Sequence, residues 1–268
     1  MEPINGGNSG TFRFGVGSVL ARTFSTLFRS FGVFFGLTLL VVLAGGVIEY
    51  LLPAQGVAKA LGQIINVVLG LLIQGAIACG VFQTLRHGTA SFGECLLRGT
   101  ARIFPLTGAA LLMGLCIWAC TGLPVLLMAA MWQGGSGGWS LLFLLVAMAA
   151  LCLTFVLGCM WSVAIPACAV EQLGPLTSLK RSAWLTLGER LKIFGLALLT
   201  MIAAAFLYWG VSFIALLISR SLLFTGLSRA IFLIFARAFG NVMVAVVYYD
   251  LRMAREGVSI DSLADVFD

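Results

Sequence analysis

Six stretches of this 268-residue chain are apolar for too long to be anything but membrane-crossing helices. They cover residues 31–52, 57–85, 104–132, 139–170, 191–219 and 227–249. A helix rises roughly 1.5 Å per residue, so about 20 apolar residues cross a hydrocarbon layer of roughly 30 Å. The runs lack the period-two alternation of a barrel strand and far exceed its length of roughly ten residues. Only 10% of the residues are charged and 61% are hydrophobic, whereas soluble domains carry about 25% charge. An all-α integral membrane protein with six transmembrane helices is therefore expected. Several runs exceed the minimum, which predicts tilting or extension into the headgroups.

The basic residues are distributed unevenly between the two sides of these spans. The side that holds both termini and the loops after spans two and four carries Arg13, Arg22, Arg29, Arg86, Arg98, Arg102, Lys180, Arg181, Arg190, Lys192, Arg252 and Arg255. The other side carries Lys59, Arg220 and Arg229, and Arg237 lies inside span six. By the positive-inside rule both termini are expected in the cytoplasm. The opposite loop at 133–138 is uncharged and is flanked by Trp132 and Trp139, residues suited to an interface. Met1 to Gly10 has no leader-like pattern, so the first span is expected to serve as an uncleaved insertion signal.

Within this layout a unit recurs three times: a short basic amphipathic segment runs directly into a long apolar one. Arg22 precedes Phe35-Gly36-Leu37-Thr38-Leu39-Leu40 by thirteen residues, and Arg181 precedes Phe194-Gly195-Leu196-Ala197-Leu198-Leu199 by the same interval. A looser copy runs from Glu94 through Arg98 and Arg102 to Pro105. The expected organisation is a cytoplasmic tail and first amphipathic helix at 1–30, a six-helix domain at 31–249 and a cytoplasmic tail at 250–268. Further amphipathic helices are expected near 91–104 and 174–190. In the first, Val19, Leu20, Phe24, Leu27, Phe28 and Phe31 form an apolar stripe; in the third, Leu176, Leu179, Ala183, Trp184 and Leu187 do so. Helices of this kind can lie in the headgroup plane. Arg22, Arg29, Arg98, Arg102, Lys180 and Arg181 are then candidate contacts to anionic phospholipid headgroups. The alternative is that these helices pack beneath the bundle and orient it during insertion. The net charge of +6 is dispersed along the chain without forming a basic face, so no nucleic-acid partner is expected.

Two polar stripes lie inside the apolar runs. On span two, Gln63, Asn66, Gly70 and Gln74 share a helix face; on span six, Arg229, Arg237, Asn241, Ala245 and Tyr248 do the same. An intramembrane arginine costs several kcal/mol unless it finds a partner or water. Arg237, Asn241, Asn66, Gln63, Gln74 and Glu49 are therefore candidates either for a polar pocket or for a clamp between helices, with the Arg237 guanidinium facing the bundle. Small residues separated by one turn, Ala236 with Gly240 and Ala76 with Gly80, predict close helix packing.

Chemistry-bearing motifs are few. The seven cysteines are odd in number and lack CxxC spacing, so they read as small packing residues. With one histidine, His87, and no phosphate-binding glycine loop, no catalytic residue, metal or cofactor is expected.

The later part of the chain carries an ordered set of motifs. Trp161-Ser162-Val163-Ala164-Ile165-Pro166-Ala167 leads to Glu171-Gln172-Leu173-Gly174-Pro175, then Lys180-Arg181-Ser182, Gly188-Glu189-Arg190 and Ile193-Phe194-Gly195. Tyr248-Tyr249-Asp250-Leu251-Arg252 and Glu256-Gly257 close the set. This pattern resembles the membrane-domain family of glycerophosphoryl diester phosphodiesterases and the YciC-like bacterial inner-membrane proteins. The resemblance implies a bacterial inner-membrane location and an association with lipid metabolism. Phosphodiesterase activity does not carry over, because the catalytic His and carboxylate cluster is missing. Each motif residue also has a structural reading: Pro166 bends or ends span four, and Gly174-Pro175 turns the chain into the third amphipathic helix.

Three function classes follow. A non-enzymatic module that binds or organises lipid, or supports envelope homeostasis, is preferred. A permease or channel-like component and an accessory scaffold of a larger membrane complex are the alternatives, and a homo-oligomer is compatible with each.

Overall fold

A computed structural model describes residues 14–52, 55–132, 140–218 and 221–256. These residues form ten helices and no strand. In chain order they are α1 (Val16–Arg29), α2 (Phe31–Leu51), α3 (Gly56–His87), α4 (Phe92–Ala101), α5 (Ile103–Trp132), α6 (Ser140–Trp161), α7 (Ala164–Val170), α8 (Pro175–Leu185), α9 (Arg190–Ile218) and α10 (Leu222–Glu256). Six helices are long and apolar enough to cross a membrane. The chain is thus an all-helical, multi-pass membrane protein. The short helices α1, α4 and α8 each precede a long one.

Side-chain bonds between distant segments gather one end of the bundle. Arg22 meets Asp250, Gln83 meets Glu94, Arg102 meets Gln172, and Lys192 donates to the Phe14 carbonyl. We call this the basic end. Burial is concentrated there: α3 is buried over most of 72–84, α10 over 245–251, and α7 along its whole length. The central helices are α2, α3 and α10, whereas α5, α6 and α9 turn most of their surface outward.

Local sequence accounts for the breaks. Proline lacks an amide donor, and its ring collides with the carbonyl four residues earlier. Pro166 accordingly interrupts span four at Ser162 and Val163, dividing the 139–170 run into α6 and α7. The break frees the Met160 carbonyl, which accepts from the Ser182 hydroxyl at 2.8 Å and the Thr186 hydroxyl at 3.3 Å. Thus α8 buries Ser178, Leu179, Ser182 and Leu185, while Leu176, Trp184 and Leu187 stay exposed. The apolar stripe of α8 is thus divided, with Leu179 buried and Leu176, Trp184 and Leu187 facing outward, because Ser182 and Thr186 complete the end of α6. Gly174 and Pro175 start α8 as expected. Gly188, at φ 84°, makes the left-handed turn into α9, a conformation with no steric cost for glycine.

The other lead helices are seated differently. On α1, Val19, Thr23, Thr26 and Leu27 are buried, but Phe24, Phe28 and Phe31 are exposed and stack in sequence at 6.4 and 6.3 Å. The single apolar stripe read from the sequence divides into a core face and an outer face. Helix α4 lies on the Ala76–Gly80 step of α3. A Cβ at Gly99 would sit 2.9 Å from Ala76, and one at Gly80 would sit 2.9 Å from the Cys95 sulfur. This small-residue pair accepts a short lead helix. Helix α10 runs unbroken through Glu256, so the helix of span six continues through 250–256.

Candidate functional site

The densest polar cluster lies at the basic end and joins α7, α8 and α10. The Glu171 carboxylate accepts from Arg181 Nε at 3.0 and 2.9 Å and from the Tyr248 hydroxyl. Arg181 also reaches Glu256, which accepts from Arg252 Nε at 2.8 Å. Arg252 Nε lies 3.9 Å from Glu171. The four charged side chains are only 13–22% exposed. Burial works against the Arg181 charge, but its hydrogen bonds to Glu171 and Glu256 more than offset this, so its pKa is raised. Trp184 completes the cluster, with Arg181 5.2 Å and Arg255 5.5 Å from its ring. Such contacts contribute roughly 0.5–2 kcal/mol.

Glu171, Arg181, Tyr248, Arg252 and Glu256 all belong to the motifs that carried the family resemblance. They are as much as 85 residues apart in the chain (256 − 171) and meet around one pair of carboxylates. The arrangement has two bases of recognition, charge and planarity, but its donors and acceptors are already paired. Its chemistry is that of a cross-brace. Beside it, Arg102 donates to the side chain and main-chain carbonyl of Gln172. Gln172 has φ 55°, a left-handed conformation that side chains rarely adopt.

A second buried charge holds α1. Asp250 is fully buried, and its Oδ1 accepts from Arg22 Nη1 at 2.6 Å. Of the six candidate headgroup contacts, Arg22, Arg102 and Arg181 thus make bonds within the protein, Arg98 is exposed but also interacts within the protein, and Arg29 and Lys180 are exposed. Sequence pattern places basic residues on lead helices but does not show which are bonded within the protein, because the acceptors, Asp250, Gln172, Glu171 and Glu256, come from other segments.

The intramembrane set is only partly brought together. Asn66 Nδ2 donates to Glu49 Oε1 at 3.0 Å, and Asn66 lies against Gly45, where a Cβ would fall 2.0 Å from its Oδ1. Gln63 is exposed and Gln74 half-buried. Arg237 does not face the bundle as expected: it is exposed, and among the described residues it has no hydrogen bond or ion pair. The inward face of α10 at this level is occupied by Ile234, Ala238 and Val242, one helical turn apart, which directs Arg237 away. Asn241 is half-buried on the adjacent turn. These residues do not form one pocket or clamp around Arg237.

The Ala236–Gly240 step also departs from expectation. It does not seat a helix. It lines a cavity of about 570 Å³ between α1, α9 and α10, with Phe24, Ala197, Ala204 and Phe232 among its walls. The hydroxyl of Thr200, the polar residue of the lining, is bonded to carbonyls of its own helix. Sequence reasoning missed this feature. Its signal was the concentration of alanine and glycine at 197, 203, 204, 236 and 240 beside large phenylalanines.

Among the described residues no cluster of histidine, cysteine or carboxylates could hold a metal. Burial, followed by the nearby Cys79 and Glu94, pushes the Cys95 thiol up to about 11, which suits a packing role against Gly80. No family model matches the chain, nor does any curated protein or solved structure.

Proposed function

We propose that this protein is a non-enzymatic module of the bacterial inner membrane that binds and organises anionic phospholipid at its basic end, with both termini in the cytoplasm. The observation that carries this reading is the division of α1 into three faces. One is buried against the bundle, one presents Phe24, Phe28 and Phe31, and one presents Ser18, Ser25 and Arg29, with Arg22 half-buried on the same side where it meets Asp250. A helix held in the headgroup plane needs this combination: phenylalanines toward the acyl chains, polar residues toward water and a third side toward its own protein. The short α4 and α8 precede their long helices in the same way, which supports a threefold unit. The clustering of the resemblance motifs at this end supports the family reading, and with it the inner-membrane location. The polar intramembrane residues offer less support for a permease, since Arg237 and Asn66 do not share a cavity. The outward apolar surfaces of α5, α6 and α9 suit either lipid or the scaffold alternative.

The test uses the exposed basic residues, since replacing Arg22 or Arg181 would disturb internal ion pairs. Arg29→Gln combined with Lys180→Gln should reduce the preference for phosphatidylglycerol over phosphatidylcholine in reconstituted vesicles. Each residue contributes roughly 1 kcal/mol near an anionic surface. Spin labels at successive positions across 18–30 should alternate between lipid and water exposure with helical period. Uniform water exposure together with an unchanged lipid preference would sink this reading.

A further inference from the structure

We propose that the cavity between α1, α9 and α10 seats one acyl chain of a phospholipid from the leaflet at the basic end. The proposal rests on the lipid reading above and gives it a specific site. Its first support is length. The lining runs on α10 from Phe232 to Met243 and on α9 from Ala197 to Leu207. At roughly 1.5 Å per residue this is about 15 Å, half of a hydrocarbon layer of roughly 30 Å. A partner helix crossing the membrane would need a groove about twice as long, whereas a chain from one leaflet needs this depth.

The second support is the position of α1. Leu20 and Phe24 close the basic end of the cavity, and Phe24 packs on Phe239 at 5.0 Å between ring centroids. The cationic groups lie at the two ends of this roof. Lys192, half exposed and paired with Glu189 at 2.8 Å, donates to the carbonyl of Phe14 before α1, and Arg29 is exposed in its last turn. An anionic headgroup above the roof and an apolar chain below it match this order of charge and hydrophobicity.

The third support is shape. Lipid-facing helices normally present a continuous surface of large side chains, as elsewhere on α9 at Phe206, Trp209 and Phe213. Here alanine and glycine recess the wall between phenylalanines. A Cβ at Gly240 would meet nothing within 4 Å, so the recess is open space rather than a tight helix crossing. The volume of about 570 Å³ falls within the range of small-molecule sites, roughly 300–1,000 Å³.

Gly240 provides the test. Gly240→Leu should fill the recess without striking protein atoms and should maintain or raise thermal stability, since leucine is the better helix former. Gly195→Leu is the control: it too is a helical position whose Cβ would meet nothing within 4 Å, it is exposed, and it lies outside the lining. The protein in mild detergent is titrated with dioleoyl phosphatidylglycerol and, separately, dioleoyl phosphatidylethanolamine, and bound lipid is counted by native mass spectrometry. Gly240→Leu should weaken the first binding event for both lipids by about tenfold, ~1.4 kcal/mol, while Gly195→Leu leaves it unchanged. Arg29→Gln, at an exposed residue of the last turn of α1, should weaken only the phosphatidylglycerol event. If Gly240→Leu binds like the unmodified protein, the acyl seat is overturned even where the charge variant keeps its effect and the surface reading stands. If Gly240→Leu alone acts, the seat stands and the headgroup reading falls. An unmodified protein that binds no phospholipid, or that loses a co-purifying polypeptide on Gly240→Leu, also overturns the seat.

Discussion

Replacing Glu171 by glutamine removes one charge while keeping size and one carbonyl-type acceptor, so it isolates the electrostatic role of the α7–α8–α10 brace. Glu171 faces Arg181 through two contacts near 3 Å, accepts from Tyr248 and lies 3.9 Å from Arg252. In the variant, Glu256 alone must balance two guanidinium groups. An amide nitrogen would also oppose Arg181 unless it rotates toward Tyr248, where it would displace the hydroxyl donor. A hydrogen bond to a charged group contributes roughly 1.5–3 kcal/mol, and breaking a buried pair costs about 3–5 kcal/mol. With exposures of 13–22% the pair is not fully dry, so the loss should fall between the charged hydrogen-bond value and the fully buried one, at ~2–4 kcal/mol. The assay is reversible unfolding in mixed micelles, followed by helicity, as one arm of a double-mutant cycle with Arg181→Gln. Groups that share a network couple by roughly 0.5–3 kcal/mol, and we expect Glu171 and Arg181 to couple by more than about 1 kcal/mol. A cycle that closes additively, or a Glu171→Gln loss below about 0.5 kcal/mol, would show that the brace carries no cooperative energy and would refute this reasoning.

Four further outcomes follow from the same geometry. Arg22→Ala leaves the fully buried Asp250 without its α1 partner and should cost about 3 kcal/mol; Asp250→Asn in the same chain should recover part of the loss, measured by limited proteolysis within 14–30. Gly99→Val places a branched side chain against Ala76 and the Leu72 carbonyl and should lift α4 from α3 at a cost of roughly 1–3 kcal/mol, read as loss of melting temperature. Because Arg237 is exposed within span six and is not bonded to Glu49, Arg237→Met should be neutral or stabilising and additive with Glu49→Gln; coupling between them would show that the two meet. Reporter fusions after residue 256 and within 134–138, which lies outside the described residues, should give opposite compartment signals.

The all-helical class and the six helices long and apolar enough to cross a membrane were legible in the chain itself. They depend on local quantities: the length of an apolar run, the amide that Pro166 lacks, and the basic residues at run ends. Gly174-Pro175 before α8 and the break ahead of Pro166 are of this kind, because the relevant collision involves atoms four residues apart. The brace was visible only as a set of unexplained motifs, since no spacing indicates that Glu171 and Glu256 share Arg181. The Asn66–Glu49 contact was within reach of a depth argument along two adjacent helices. The orientation of Arg237 was not, because helical periodicity defines a face but not which neighbour takes it. The same limit explains the two small-residue steps. Ala76–Gly80 and Ala236–Gly240 have identical spacing, yet α4 fills the first while the second remains open as a cavity. Only the tertiary arrangement decides that difference, because a recess becomes a packing site or a ligand site according to which segment arrives to cover it.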